Sequence, residues 1–361
     1  MTGKISRRTL LGTGAAACVG MALGRPARPK ASAPVIALDG YPAKAMWVKE
    51  MSGFLLPEIN KNLAEIGADP FVWQEEYGGS VVKPRGVLEG MRQGKGDLGV
   101  VTTIFHASKL PSQAIAAVTP FVSSDARIVA KAVDEIAQEF PDMAEEFAAQ
   151  GQVYLTTGVV LNSYQVFSKV PVAGIADLSG LKIAGAGYNL RYLEGVRGAS
   201  GQRGGLTKFT EMITAGKADA AMLWAEAART FGVAEVAPHM LRANLGAVNT
   251  KTLTANAAFW DGLSPEIQGA IRKAALAYRD RLAEEAMRRA AVAEQAFLEG
   301  GGTIVDLSQA DREAWAEAMP NIAKLWAGSL DIQGKNGTAM LKAYMAKLEA
   351  ADAKPARNWA V

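Results

Sequence analysis

The sequence predicts an α/β protein built from two α/β domains. The chain has 361 residues, 49% of them hydrophobic, which is enough for two domains with separate cores. Short apolar runs alternate with segments of helical spacing, a pattern typical of parallel sheets with crossover helices. Residues 264–298 form one uninterrupted helical pattern, which would extend about 50 Å, more than the width of one small domain.

The first unit begins with the apolar run 35–38, which ends in the turn signal Asp39-Gly40. Further strands are predicted at 71–73 and 97–101, and helices at 45–66 and 82–94. In the second unit we predict strands at 153–155, 165–167, 181–183 and 220–223, a helix at 206–215, and a strand that starts within 300–305.

The long helical segment carries clear start signals. Ser264 is a predicted N-cap, Pro265 takes the first helical position, and Glu266 places acidic charge in the first turn. Its apolar positions are mostly alanine and lack sustained leucine heptads, which favours a strut across two domains over a coiled-coil arm.

The charge distribution separates the N-terminus from the rest of the chain. The net charge is +3, but residues 1–33 carry six basic residues and no acidic one. The remainder has 33 basic and 36 acidic residues, a net charge of −3. Nucleic acid is therefore not an expected partner.

Residues 1–33 are predicted to be an export signal. The order Ser6-Arg7-Arg8-x-Leu10-Leu11, followed by a short apolar run, resembles a twin-arginine signal, so the twin-arginine export machinery is an expected partner. Three cleavage points stay open: Ala31-Ser32-Ala33, Ala22-Leu23-Gly24, and a lipoprotein-like site at Ala15-Ala16-Ala17-Cys18.

The residue inventory argues against an enzyme, a metal site or a cofactor. Cys18 is the single cysteine, and His106 and His239 are the only histidines. That is too few for thiolate clusters or imidazole-rich metal sites, and no GxSxG, HExxH or P-loop motif occurs. An exported enzyme that uses an acid–base pair on other residues remains a weaker alternative.

Several segments, in the same order over nearly the whole mature chain, carry a resemblance to one family. They are 86–101 (GVLEGMRQGKGDLGVV), 110–111, 119–121, 171–187 (PVAGIADLSGLKIAGAG), 206–223, 259–275 and 300–305. In this combination the chain resembles the periplasmic solute-binding proteins of TRAP transporters, the DctP-type family. The resemblance implies a periplasmic location, a small organic acid as ligand, and the TRAP membrane permease subunits as partners.

The resemblance also implies a two-lobed periplasmic binding protein fold with a ligand cleft, hinge strands and a long helix that spans both lobes. We assign 34–159 and 252–290 to lobe I, 160–251 and 291–330 to lobe II, and 331–361 to a C-terminal helical extension. A protein of this architecture could also serve an ABC transporter or a sensor, and that alternative stays open.

The sequence departs from the family at the ligand anchors. The family's GLKI strand is typically followed by an arginine that binds the ligand carboxylate, and here that position is Ala184. A polar pair of the family falls on Met222-Leu223, with Trp224 next. The expected ligand is therefore a monoanionic or neutral-polar organic molecule with a sizeable apolar part, such as a monocarboxylate with an apolar or aromatic body. A compact dianion would leave a buried charge without a partner.

Ligand-binding residues are predicted where strands end. The backbone amides of Gly185 and Gly187 could receive an anion, although these glycines could instead serve only the turn. Aromatic, apolar, polar and cationic candidates complete the set. The aromatic residues could instead pack in the core, the polar residues could serve the hinge, and the arginines could be solvated at the surface. The candidates are Tyr41, Trp73, Tyr164, Tyr188, Trp224, Leu223, Thr103, Asn162, Gln165, Arg191 and Arg203.

Overall fold

A computed structural model describes residues 33–159 and 161–361. The twin-arginine motif and the three possible cleavage points involve residues 1–32, which lie outside the described residues. Within the described ranges, no helix combines the length and apolar character that crossing a membrane requires.

Helices and strands alternate along most of the described chain. The strands are β1 Val35–Leu38, β2 Trp73–Glu76, β3 Leu98–Thr102, β4 Gln152–Val159, β5 Gln165–Ser168, β6 Lys182–Gly185, β7 Ser200–Arg203, β8 Ala220–Leu223, β9 His239–Arg242, β10 Asn249–Asn256 and β11 Thr303–Asp306. The helices are α1 Met46–Glu50, α2 Leu56–Glu65, α3 Val87–Arg92, α4 Ala126–Glu139, α5 Asp142–Ala148, α6 Phe209–Thr214, α7 Ala225–Thr230, α8 Val233–Val236, α9 Ala257–Asp261, α10 Pro265–Glu299, α11 Gln309–Ala318, α12 Ile322–Ile332 and α13 Gly337–Ala350.

Two sheets form the centres of two lobes. The sheet of the first lobe has the order β2-β1-β3-β10-β4, and that of the second lobe has the order β11-β9-β5-β8-β6-β7. The expectation of parallel sheets is only partly right. Strand β10 runs antiparallel to β3 and β4, and β5 runs antiparallel to β8 and β9. Residues 249–251, which the assigned boundaries place in lobe II, are part of β10 in the first sheet and are therefore counted with the first lobe. Each sheet is mixed because one of its strands enters directly from the other lobe, without a crossover helix to impose a parallel direction. That strand is β10 in the first sheet and β5 in the second.

Most predicted elements are present, with two instructive differences in the strands. The strand predicted at 71–73 is wrong by several residues, because β2 begins at Trp73 and continues through polar, largely exposed residues. The sequence analysis missed β10 altogether. Its sequence NTKTLTAN is mostly polar, yet every residue in it is buried, so neither alternation nor an apolar run marks it.

The predicted long helix is confirmed as α10. The Ser264 hydroxyl accepts a hydrogen bond from the Ile267 amide over 3.4 Å and caps its start. The helix packs against β4, α2 and α4 of the first lobe and against α7 and β11 of the second. Its buried face is rich in alanine, which lets these elements approach closely, so α10 acts as the predicted strut.

The C-terminal segment is anchored to the first lobe by two tryptophans. The Trp326 indole donates a hydrogen bond to the Pro111 carbonyl over 2.8 Å, and the Trp359 indole donates to the Pro120 carbonyl over 2.7 Å. Both carbonyls belong to the loop that follows β3, so the C-terminal segment holds this loop in place beside the cleft.

Candidate binding cleft

Two adjoining cavities lie between the lobes. The inner cavity has a volume of about 30 Å³, and the outer basin beside it has about 380 Å³. Ile104 and Phe105, which follow β3, line both and separate them. The inner cavity is lined by Tyr41, Ile104, Phe105, Tyr164, Ala186, Asn189, Leu206, Phe209, Met222, Leu223, Trp224, Thr250 and Lys251. The basin is lined by Arg85, Ile104, Phe105, Ala107, Ser108, Gly187, Tyr188, Arg191 and Arg203.

The inner cavity is too small for an organic acid in this closed arrangement. About 30 Å³ is enough for roughly one water molecule. The lobes approach closely at its edge, where a Cβ atom added to Gly187 would lie 3.3 Å from the Ile104 carbonyl oxygen. Ligand entry therefore requires the lobes to separate.

Strand ends bring the lining residues together. Tyr41 follows β1 and Ile104 follows β3 in the first lobe, whereas Ala186 follows β6 and Trp224 follows β8 in the second. The carboxyl ends of these strands meet at the cleft, as expected for ligand sites in α/β proteins. Strand β10 contributes residues from its N-terminal end, because it runs in the opposite direction.

Aromatic rings form much of the inner wall. The Tyr164 ring packs edge-on against Trp224, with centroids 6.3 Å apart, and against Tyr192 at 6.4 Å. The Trp224 indole donates a hydrogen bond to the Glu226 carboxylate over 3.1 Å, which fixes the orientation of its ring. Glu226 is itself buried, and this desolvation raises the pKa of its carboxyl group.

Lys251 contributes the one charged side chain among the residues that line the inner cavity. It is only 3% exposed, and its ammonium lies 4.3 Å from the ring centroid of Trp47 and 5.2 Å from that of Tyr41. Within the described residues, the ammonium has no hydrogen-bond acceptor and no carboxylate oxygen within 4.0 Å. Burial lowers the pKa of Lys251, and the nearby Asp39 charge partly offsets that effect.

Asp39 is the buried acid whose charge acts on Lys251. It is 1% exposed and accepts hydrogen bonds from the Tyr41 amide over 2.7 Å and from the Trp47 indole over 3.1 Å. Burial raises the pKa of Asp39, and these hydrogen bonds and the Lys251 charge counteract part of that shift. Its oxygens are thus directed at N–H groups of the first lobe and not at the cavity.

Eight of the residues predicted for the site border one of the two cavities. Four line the inner cavity and four line the outer basin. The inner group is Tyr41, Tyr164, Leu223 and Trp224, and the outer group is Gly187, Tyr188, Arg191 and Arg203. Within the basin, Arg191 is paired with Glu194 over 2.9 Å.

The remaining five predicted residues do not line either cavity. Trp73 packs edge-on against Phe71 in the first lobe at 5.4 Å, and Gln165 exchanges hydrogen bonds with Asn244 over 2.9 Å. The other three lie near the cleft but outside its lining: Thr103, Asn162 and Gly185.

In the turn predicted to receive an anion, the amide between the two glycines has a partner inside the protein. The Ala186 N–H donates to the Asn189 side-chain oxygen over 2.8 Å, and the Gly185 carbonyl accepts from Gly204 over 2.9 Å. Gly187 has a φ of +62°, in the left-handed region that favours glycine, so the turn itself requires this residue. This geometry supports the alternative in which these glycines serve the turn.

The sequence analysis missed several lining residues. The most important is Lys251, because β10 was not predicted and a lysine in a polar stretch is usually a surface residue. Asn189, Phe209 and Thr250 are further examples, since helix and strand periodicity does not indicate which side chains reach a cleft.

Comparison with known proteins assigns the family. The sequence model of bacterial extracellular solute-binding protein, family 7 (DctP), matches residues 77–328. The chain belongs to this family. The assignment confirms the resemblance drawn from the sequence and the expected location outside the cytoplasm, and it places the chain in a family of solute-binding proteins. Among curated proteins, none matches the sequence.

Solved structures of TRAP solute-binding proteins share the fold of this family 7 protein. One from Rhodoferax ferrireducens, in complex with copurified benzoate, has a TM-score of 0.76 at 18% identity, covering 89% of this chain and 99% of the other. One from Bordetella bronchiseptica, with bound (R)- and (S)-mandelate, has a TM-score of 0.73 at 20% identity, covering 89% and 100%. One from Sulfitobacter sp. NAS-14.1, with bound β-D-galacturonate, has a TM-score of 0.70 at 16% identity, covering 87% and 100%. These similarities confirm the two-lobed α/β fold.

Proposed function

We propose that this protein binds an organic acid, a monocarboxylate with an apolar or aromatic body, and delivers it to a TRAP-type membrane permease. The observation that carries the proposal is the composition of the inner cavity. Aromatic and aliphatic side chains make up most of its wall, and Lys251 is its one charged member.

A wall of this kind suits an apolar body. Burial against rings such as Tyr164, Phe209 and Trp224 contributes roughly 25 cal/mol per Å² of apolar surface removed from water. The Tyr164 and Trp224 rings already meet edge to face, with an interplanar angle of 73°, an arrangement in which an inserted ring could pack against a face or an edge.

The charge of the cavity favours one carboxylate over two. A single ammonium can neutralise one carboxylate, whereas a compact dianion would bury a second charge without a cation beside it. An unpaired buried charge costs several kcal/mol, which would outweigh the apolar contacts of a small ligand.

The ligands of structurally similar proteins support an organic acid in general. The proteins with the same fold bind benzoate, mandelate, galacturonate and, in a Bordetella pertussis receptor, pyroglutamic acid. All four are monocarboxylic acids, and two of them carry an aromatic ring. Sequence identities of 16–20% leave the ligand of this chain to be decided by its own cavity.

A thermal-shift panel tests the proposal. The panel contains benzoate, (R)-mandelate, pyroglutamate and branched aliphatic monoacids, with succinate and malate as dianions. Ligand at about 100 times its dissociation constant adds roughly 2.7 kcal/mol to the free energy of unfolding, so binders raise the melting temperature clearly.

We expect stabilisation by one or more aromatic or branched monoacids and none by the dianions. Strong stabilisation by succinate or malate alone would contradict the proposed ligand class. Each binder is also incubated with the protein and recovered, because chemical conversion of the ligand would favour the exported-enzyme alternative.

A further inference from the structure

We propose that Lys251 is the residue that receives the ligand carboxylate and that it replaces the family arginine absent at Ala184. This inference rests on the proposed function, because it names the cation that an acid in this cleft would meet. The cation would then come from the other lobe, since Ala184 belongs to β6 of the second lobe and Lys251 to β10 of the first.

The burial of Lys251 is the first argument. Lys251 as a whole residue is 3% exposed, and a buried lysine is costly unless it is paired or has a ligand to bind. The Trp47 and Tyr41 rings offset part of that cost through cation–π contacts at 4.3 and 5.2 Å. Aromatic faces accept none of the three ammonium protons as full hydrogen bonds.

The position of Asp39 is the second argument. Its carboxylate balances the charge of Lys251 through space but is held by the Tyr41 and Trp47 N–H groups. In the described residues, no ion pair joins Asp39 to Lys251, so the Asp39 oxygens lie more than 4.0 Å from the ammonium. The ammonium donors therefore remain available to an acceptor that enters the inner cavity.

The arginines of the outer basin are less suitable anchors. Arg191 is engaged by Glu194, and Arg85 stacks on the Phe105 ring at 4.2 Å. Arg203 is an exposed residue that lines the basin and not the inner cavity. Ile104 and Phe105 stand between this basin and the aromatic wall. A carboxylate held in the basin would leave its apolar body outside the inner cavity, whereas one held by Lys251 would place that body against Trp224 and Tyr164.

The test compares the acid selectivity of the wild type with that of Lys251→Met, which keeps the length of the side chain and removes its charge. Lys109→Met is the matched control, because Lys109 is an exposed lysine in the loop after β3. Isothermal titration with benzoate, (R)-mandelate and the neutral benzamide gives the affinities. We expect Lys251→Met to lose about 100-fold or more in affinity for the acids, with little change for benzamide.

If Lys251 has a purely structural role, Lys251→Met would weaken the binding of the acids and of benzamide alike. That result would overturn the inference. So would an unchanged affinity for the acids. The melting temperature of Lys251→Met is measured in parallel. We expect it to be lower than that of the wild type, because the buried Asp39 loses its counter-charge, so the affinities are measured well below the unfolding transition of the variant.

If the wild type binds none of these acids, that result counts against the proposed ligand class alone. A second measurement then decides whether Lys251 can receive a carboxylate. Formate is titrated into protein labelled with ¹³C at the lysine Cε atoms, and chloride at equal ionic strength is the control. We expect formate, but not chloride, to shift the Lys251 signal, which is assigned by its absence from Lys251→Met. An unshifted signal at molar formate would overturn the anchor role.

Discussion

The ammonium of Lys44 reaches across the cleft and donates a hydrogen bond to the Thr230 carbonyl over 3.3 Å. It also lies 5.4 Å from the ring centroid of Phe231. Lys44 follows β1 of the first lobe, and Thr230 ends α7 of the second. This exposed contact can form only when the lobes are close, so it stabilises the closed arrangement.

Removal of this contact should shorten the lifetime of the complex. We expect Lys44→Ala to raise the ligand dissociation rate about twofold to fivefold, because one exposed charged hydrogen bond contributes about 0.5–1 kcal/mol. Stopped-flow displacement measures the rate, and Lys49→Ala, at an exposed position on α1, serves as the control. Equal rates for the two variants would show that the Lys44 contact does not hold the cleft closed.

Small-angle scattering should show compaction on ligand binding, because entry into the inner cavity requires the lobes to separate first. We expect a smaller radius of gyration for the ligand-saturated protein than for the ligand-free protein. Identical profiles would indicate a rigid or preclosed molecule.

Gly187→Val should weaken ligand binding by tenfold or more. A side chain at this position would press on Ile104, where a Cβ atom meets the carbonyl oxygen at 3.3 Å, and would hold the lobes apart. Gly180→Val is the matched control, because Gly180 also has a positive φ but has no atom within 4 Å of an added Cβ.

Both glycine variants should lose about 1–2 kcal/mol of stability from left-handed backbone strain. Only Gly187→Val should lose affinity, and titration calorimetry distinguishes the two. A normal affinity for Gly187→Val would remove this turn from cleft closure.

Asp134 is a buried acid whose replacement should destabilise the first lobe. Its carboxylate accepts hydrogen bonds from the Tyr154 and Thr156 hydroxyls over 2.5 Å and from the Thr157 amide over 2.8 Å. It also pairs with Arg279 of α10 over 2.9 Å. This cluster ties β4 to α4 and to the long helix.

We expect Asp134→Ala to lower the free energy of unfolding by about 3–5 kcal/mol, because it leaves several buried donors unpaired and leaves Arg279 with only its exposed partner Asp280. Asp280→Ala removes the exposed partner of the same arginine and should cost at most about 1 kcal/mol. Urea denaturation measures both. Similar losses for the two variants would mean that the buried cluster contributes no more than the surface pair.

His106 should make the protein less stable in mild acid. Burial, with contributions from Lys109 and Arg85, lowers the pKa of His106 from 6.5 to about 4. Between these pH values the unfolded chain binds a proton that the folded protein does not. Stability therefore falls as the pH drops from about 6.5 towards 4.

We expect His106→Gln to reduce this pH dependence by about 1–2 kcal/mol, a value discounted for the partial exposure of the ring. The wild type, measured over the same pH series, gives the reference slope. Chemical denaturation at a series of pH values gives the comparison. An unchanged slope in His106→Gln would assign the acid sensitivity to carboxylates.

Export should depend on the arginine pair near the N-terminus. We expect the double variant Arg7→Lys, Arg8→Lys to leave the precursor in the cytoplasm, because the twin-arginine route reads that pair. Cell fractionation measures the distribution, and Arg25→Lys, which changes another leader arginine, is the control. Normal periplasmic accumulation of the double variant would indicate the general secretory route.

Local signals predicted most of the elements around the cleft but not all the residues inside it. Helix α10 was recognisable because Ser264 and Pro265 mark its start and alanines recur along one face. Strand β8 was recognisable as an apolar run, and its last residue Leu223 and the following Trp224 were placed at a strand end. By contrast, β10 has no amphipathic signal, because both of its faces are covered by protein while its residues stay polar.

The sequence by itself determined the two-domain α/β class, the long helix and the family, because these depend on periodicity, capping residues and the order of segments along the chain. It also revealed the missing arginine at Ala184. Only the tertiary structure decided that Lys251, which is 67 positions further along the chain, faces the same cleft with two aromatic rings beside it. The burial and pairing of a charged side chain depend on contacts between residues far apart in the sequence, and no local pattern encodes them.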